Sequence, residues 1–157
     1  MDRPQLVTRL IPRLRRYARA LVADRQAADD LVQQALASAA RLAQAPVDEA
    51  GLRTWVFSLM HHAYVSKLRS QHAALGPDAD AEGAPLTPAQ KDFEQAIAAL
   101  SPEQREVFLL VSLEDFSYEQ VASALGIPTG TVMSRLSRAR ERLRSLLMGE
   151  ARLKRVK

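Results

Sequence analysis

Residues 117–143 read SYEQVASALGIPTGTVMSRLSRARERL, and the spacing within them decides the fold. Val121, Ala122 and Leu125 share one side of a short helix, which Ser117 and Gln120 start as a capping box. Gly126 follows, the residue that best tolerates the left-handed turn closing a helix. Ile127 can plug the space between two helices, and Pro128 stops any continuation. Thr129 or Thr131 can cap the next helix, in which Val132, Leu136, Ala139, Leu143 and Leu147 recur at helical spacing. Ser134, Arg135, Ser137 and Arg138 are left facing outward. A short apolar helix, a Gly-Ile-Pro turn and a long basic helix make a helix-turn-helix, whose second helix enters the major groove of DNA.

Geometry limits what that helix reads. Its length is roughly 27 Å, whereas the groove is about 12 Å wide. Only the first two turns, Thr131 to Arg138, can reach base edges, and Arg140, Arg142 and Arg144 meet phosphate or water. One arginine–guanine pair discriminates by about 1–3 kcal/mol. A single such helix therefore needs a second contact or a tether to specify a long site.

Working outward, TPAQ at Thr87 and SPEQ at Ser101 repeat the cap chemistry, each with Pro at the first helical position. They predict helices over 88–99 and 102–113, ahead of those over 118–125 and 129–147. The N-terminal half is helical too. Leu6, Leu10, Leu14, Tyr17 and Leu21 recur at helical spacing, with Pro12 expected to bend that helix or begin a new one. Asp24 is placed to cap a second helix with the stripe Leu31, Val32, Ala35, Leu36, Ala39 and Leu42. A third carries Leu52, Trp55, Val56, Leu59, Ala63 and Leu68 on one side. No segment alternates like a half-buried strand. The expectation is an all-α chain of two small helical domains, 1–70 and 88–150, joined by a flexible acidic linker over 71–87 that is rich in Gly and Pro.

Charge divides along the same boundaries. Residues 1–70 hold eleven basic and six acidic residues, 71–90 three acids and no base, 91–130 two bases and seven acids, and 131–157 nine bases and two acids. So steep a division points to a surface that faces an anion. The chain has no cysteine, which excludes disulfides, thiolate metal sites and cysteine nucleophiles. His61 and His62 are adjacent and point about 100° apart on a helix, a poor metal pair. Asp29 and Asp30 meet the same objection as an acid–base couple. No phosphate-cradling loop is present. Neither an enzyme, a cofactor nor a metal is expected. With no long apolar run at the N-terminus, the expected location is the cytoplasm.

The segment LSPEQREVFLLVSLEDFSYEQVASALGIPTGTVMSRLSRARERLRSLL resembles the C-terminal domain of extracytoplasmic-function (ECF) sigma factors. RRYARALVADRQAADDLVQQAL resembles their polymerase-binding region, and LRTWVFSLMHHAYVSKLRS their promoter-melting region. The resemblance implies a transcription initiation subunit that performs no bond chemistry, with core RNA polymerase, promoter DNA and an anti-sigma factor as partners. It places polymerase binding at Asp30, Gln33 and Gln34, the last standing where the family usually has an acid. Minus-ten recognition falls to Arg53, Trp55, His62, Lys67 and Arg69, and LAQAPVDEAGL becomes the loop that captures a flipped base. Minus-thirty-five recognition falls to Thr131, Ser134, Arg135, Arg138 and Arg140. His62 stands where Asn is common, Ser66 where Asp is common, and Met133 where Lys or Arg is usual.

Two other classes fit the same residues. One is an autonomous helix-turn-helix regulator, which would bind duplex DNA tightly without polymerase. The other is a sigma mimic that binds an anti-sigma factor and dispenses with DNA-facing arginines. Trp55 is read equally as core or as DNA contact, and Asp30 without the resemblance is a solvated charge. In the free chain the two basic domains are expected to close on the acidic linker and hide their DNA surfaces.

Overall fold

The structure, a computed structural model, describes residues 2–41, 48–75 and 93–156. Among the described residues seven helices follow one another: α1 (Arg3–Leu21), α2 (Arg25–Arg41), α3 (Glu49–Leu75), α4 (Phe93–Ala98), α5 (Pro102–Ser112), α6 (Tyr118–Leu125) and α7 (Thr129–Val156). No strand occurs among the described residues. The expected all-α class holds.

Local chemistry sets most of the boundaries. Asp2, Ser101 and Ser117 each accept from the backbone N–H three residues on, and Gln5, Gln104 and Gln120 return the bond to the cap N–H. Asp24 Oδ2 accepts from Ala27 N at 2.9 Å and Asp48 Oδ2 from Gly51 N at 3.0 Å, opening α2 and α3. The cap expected of Thr87 and residues 42–47 of the base-capturing loop lie outside the described residues, and the last four residues assigned to that loop, 49–52, are the first turn of α3.

Several expectations need correction. Pro12 does not start a new helix; α1 runs through it. The ring removes one N–H, and Pro12 and Thr8, whose carbonyl loses that bond, are both solvent-exposed, where water replaces it. Residues 71–75, assigned to the linker, are the end of α3, and α7 continues past Leu147 to Val156. Neither Thr129 nor Thr131 is the residue before α7. Pro128 is, and its carbonyl accepts from Thr131 N and Val132 N. Leu147, read as core, is 37 % exposed.

Gly126 sits at φ 67°, ψ 38° as the cap of α6 and reverses the chain toward α7. A Cβ there would meet nothing within 4 Å, so the glycine answers to backbone conformation alone. Gly126→Ala should therefore cost about 1 kcal/mol, the left-handed penalty for an L-residue, and Gly126→Asn less. Thermal unfolding checks this, and an unchanged midpoint for the alanine variant would mean that the turn relaxes.

The core decides the arrangement of the two halves. Leu14, Tyr17, Leu31, Leu52, Val56, Phe57, Met60 and Tyr64 are buried in the first half, and Leu100, Val107, Leu110, Phe116, Val121, Val132, Leu136 and Ala139 in the second. They form one continuous cluster. The helix α3 packs on α2, α1 and also α6, while α5 packs on α7, α6 and α1. The side of α3 most deeply buried carries Val56, Phe57, Met60 and Tyr64, whereas Trp55, Leu59, Ala63 and Leu68, expected on the buried side, are half-buried. A helix covered on three sides has no single stripe, so a one-face reading of α3 fails.

The halves thus pack together as expected, and the described contacts between them join α1 and α3 to α4, α5 and α6, while residues 76–87 of the acidic linker lie outside the described residues. Phe57 meets Phe116 edge-on, with ring centroids 5.2 Å apart, and Tyr17 meets Phe57 in the same way. The seam is apolar and closed by buried ions.

A candidate nucleic-acid interface and the seam beside it

On α7 the outward face is built of small and basic groups. Val132, Leu136, Ala139 and Leu143 are buried against α5 and α6, so Ser134, Ser137 and Arg138 project into solvent. Gly130 shares their side, and a Cβ there would meet nothing within 4 Å. Such a shallow surface lets a helix axis approach a groove closely, with Arg138 as the long side chain able to reach a base edge. Arg140, Arg142 and Arg144 are exposed on later turns, where the groove has passed and phosphate is within reach. Thr131 is half-buried beside the turn.

Arg135 departs from the expected outward position. Its side chain is 29 % exposed and its Nη2 lies 4.0 Å from Glu103 Oε2 on α5. So loose a pair on a largely exposed Glu103 contributes at most about 1 kcal/mol and yields readily to a phosphate.

On α2, Asp30, Gln33 and Gln34 are exposed together, opposite the buried Leu31, Val32 and Ala35. Gln26 Nε2 donates to Asp30 Oδ1 at 3.1 Å one turn earlier, which orients that carboxylate. They form one accessible polar patch.

The residues grouped on α3 do not share one environment. His62 and Arg69 are exposed and Lys67 is half-buried. Arg53 instead lies under the second half, its guanidinium carbon 5.0 Å from the Phe116 ring centroid, within cation–π range. Its Nε is buried without a hydrogen-bond partner. Trp55 lines an open cleft of about 560 Å³ with Gly51, Thr54 and Ser58 of α3 and Glu119, Gln120 and Ser123 of α6. The indole is neither a sealed core residue nor a free one.

Three ionic groups across the seam escaped the sequence reading. Glu114, with no side-chain exposure, accepts from Arg13 Nε at 3.0 Å and from Arg16 Nη2 at 3.2 Å. It sits at the end of α5, where Asp115 at φ 57° turns the chain so that Phe116 N–H bonds the Leu110 carbonyl. Glu106 Oε2 lies 2.6 Å from His61 Nδ1. Burial raises the Glu106 carboxyl above the ordinary carboxylate value, and the bond to His61 pulls it partly back.

The third is Arg105, whose five N–H groups each find an oxygen. Nε donates to Ile97 O at 3.1 Å, Nη2 to Ala98 O and Leu100 O at 2.8 Å each, and Nη1 to Leu21 O at 2.9 Å and Tyr64 Oη at 3.4 Å. One cation thus satisfies carbonyls at the ends of α1 and α4, where the helix dipoles also favour positive charge. Burial pushes the Tyr64 phenol up to about 12 despite the neighbouring Arg105. Among 91–130 only Lys91 and Arg105 are basic; an arginine isolated in an acidic stretch was the one signal that could have marked it.

Among the described residues no group of three or more His, Cys, Asp or Glu could hold a metal ion, and no helix is long and apolar enough to cross a membrane.

Comparison with known proteins agrees in both halves. Residues 90–143 match the family model Sigma-70, region 4, and residues 7–61 match the Sigma2 domain of PhyR. The ECF RNA polymerase sigma factor EcfG of Rhodopseudomonas palustris is 32 % identical over 146 residues, covering 87 % of this chain and 80 % of that protein. The ECF RNA polymerase sigma factor SigM of Mycobacterium tuberculosis is 34 % identical over 150 residues, covering 91 % and 76 %. Among solved structures, the sigma factor RpoE of Bartonella quintana, in complex with the anti-sigma factor NepR, superposes with a TM-score of 0.72 at 31 % identity, covering 92 % of this chain and 96 % of that one. The anti-anti-sigma factor PhyR of the same organism shares the fold, with a TM-score of 0.61 at 17 % identity over 89 % of this chain and 48 % of that one.

Proposed function

The chain belongs to the extracytoplasmic-function family of RNA polymerase sigma factors, and we propose that its two halves divide promoter recognition between them. As a sigma factor it binds core RNA polymerase and directs promoter-specific transcription initiation. The exposed patch Asp30, Gln33 and Gln34 on α2 meets the polymerase. On α3, Arg53, Trp55, His62, Lys67 and Arg69 serve the minus-ten element, where an indole and cations suit an unpaired strand, since stacking contributes about 1–3 kcal/mol per base. On α7, Thr131, Ser134, Arg135, Arg138 and Arg140 serve the minus-thirty-five element. The chain acts in the cytoplasm and catalyses no reaction itself. An anti-sigma factor is its regulator, by similarity to the RpoE–NepR complex.

The observation that carries the α7 assignment is Arg138, alone among the long side chains in being fully outward on the first two turns of a helix-turn-helix apart from Met133. Two weak DNA readers on one chain gain affinity when a large partner holds both, which accounts for a modest recognition helix. Arg138→Ala should weaken promoter binding by the holoenzyme about tenfold to a hundredfold, the loss of one arginine–base pair. Core binding, read in the same titration, should stay intact. Equal loss of both would remove Arg138 from the DNA interface.

A second reading has one observation in its favour, the match of residues 7–61 to the Sigma2 domain of PhyR. On that reading the chain is a sigma mimic that engages an anti-sigma factor. Core binding without any promoter selection by the unaltered chain would select it.

A further inference from the structure

Met133 belongs to neither DNA-reading set, yet it stands on the first two turns of α7, where base edges come within reach. It is 55 % exposed, between the buried Val132 and the outward Ser134. Three other large apolar side chains are exposed among the described residues. Phe93 packs edge-on against Phe108, with ring centroids 6.3 Å apart. Leu147 and Met148 lie about four turns further along α7. A single exposed apolar side chain is ordinary on a protein surface, but Met133 differs in its position and its neighbours. We propose that Met133 is a specificity-determining residue of α7, packing on the C5-methyl group of one thymine in the minus-thirty-five element. The role rests on the sigma-factor reading of α7 and adds one base to those the helix reads.

Val132, Leu136 and Ala139 hold one side of α7 against the protein. Successive helix positions are about 100° apart, so Gly130, Ser134 and Ser137 form the middle of the opposite side, with Met133 and Arg138 at its two edges. Five residues separate those two, a rise of about 7.5 Å, so they meet different base pairs. Arg138 carries charge and donors and suits a guanine edge or a phosphate. Met133 carries neither. Of the groups that base pairs present in the major groove, the thymine methyl is the apolar one, and a flexible thioether adapts readily to its position.

Gly130 supplies the room. Unlike Gly126, it has no left-handed backbone to accommodate, and a Cβ there would meet nothing within 4 Å. Glycine also weakens a helix relative to alanine. Neither the backbone nor the packing of this chain calls for glycine at 130, whereas close approach by a body outside the chain does. Helical side chains lean toward the N-terminus of their helix, so Met133 leans over the turn that holds Gly130. A base edge entering above Gly130 meets the thioether there. The contact removes apolar surface from water on both partners. Its strength is about that of one buried methyl group, hence about fourfold in affinity. A step of that size ranks promoters without deciding alone whether they are bound.

Deoxyuridine pairs as thymine does and lacks the C5-methyl, so it isolates that group. Holoenzyme assembled from core polymerase and the full chain would select duplexes from a pool with both promoter elements randomised. Each thymine of the selected minus-thirty-five element, on either strand, would then be replaced singly by deoxyuridine. For the unaltered chain, one replacement should lower affinity about fourfold. Holoenzyme with Met133→Ala should bind the thymine duplex about fourfold more weakly and lose its response to that one replacement. Arg138→Ala, weaker overall, should keep the response, which separates a methyl contact of Met133 from a general loosening of the interface. Four results overturn the proposal: a selected element without an A·T pair, an unaltered chain indifferent to every replacement, a Met133→Ala variant as responsive as the unaltered chain, or loss of the response in Arg138→Ala as well. Failure to select any duplex is a different result, which overturns the sigma-factor reading and the role of Met133 with it.

Discussion

Arg105→Ala should lower the unfolding free energy by about 4 kcal/mol, a large share of the 5–15 kcal/mol that holds a domain of this size. The side chain makes five hydrogen bonds, three of them closing the end of α4 and its connection to α5, and two reaching Leu21 and Tyr64 in the other half. A net value of about 1 kcal/mol for each bond gives five, and the carbonyls nearest solvent recover part of it by binding water. Lysine cannot substitute. Its three donors sit on one nitrogen and cannot diverge to five oxygens, so Arg105→Lys should recover less than half of the loss. Urea unfolding followed by circular dichroism measures both variants. The alanine variant also carries an independent signature, because removing the cation removes what holds the Tyr64 phenol down to about 12, and its ionisation should move further up. A loss below about 1 kcal/mol would show that water replaces the guanidinium at all five oxygens.

Removing Arg13 and Arg16 together should cost about 3 kcal/mol. Breaking a buried pair leaves an uncompensated charge, at about 3–5 kcal/mol, and the lower end applies because the two arginine side chains are 33 % and 55 % exposed while Glu114 is not exposed at all. The penalty lies with Glu114, which keeps its burial and loses both donors. A triple variant that adds Glu114→Gln should therefore regain about half of the loss, since a neutral amide is cheaper to bury than a carboxylate. An equal loss in the triple variant would assign the effect to the packing of the arginine stems. The double variant also loosens the seam between the halves, so its small-angle scattering at low salt should report a larger radius of gyration than the unaltered chain.

Much of the fold was legible because its signals are local. Ser101 with Gln104, Ser117 with Gln120, Asp24, and Gly126 before Ile127 and Pro128 each state a helix boundary within four or five residues, and α5 and α6 begin where those signals put them. Reading the recognition face of α7 needed only a period of 3.6 and the identity of its apolar positions, which is why Ser134 and Arg138 were found facing outward. Leu147 failed the same reading because the core of the second half ends one turn before it. Nothing in the pattern of α7 alone announces where its neighbours stop.

What the tertiary structure decided is everything that depends on residues distant in the chain. Arg13 and Glu114 are 101 positions apart, Arg105 and Leu21 are 84 apart, and His61 and Glu106 are 45 apart. No periodicity links such partners, and each alone reads as an ordinary surface charge. The same holds for Arg53 and Trp55, whose composition suits an unpaired strand but whose accessibility is set by Phe116 and α6. By itself, then, the sequence determined the helices and the helix-turn-helix, because these are written in short-range caps and apolar spacing, while its resemblance to sigma factors pointed to the family. Only the packing of the halves decided which charges are buried, since burial depends on which surfaces meet.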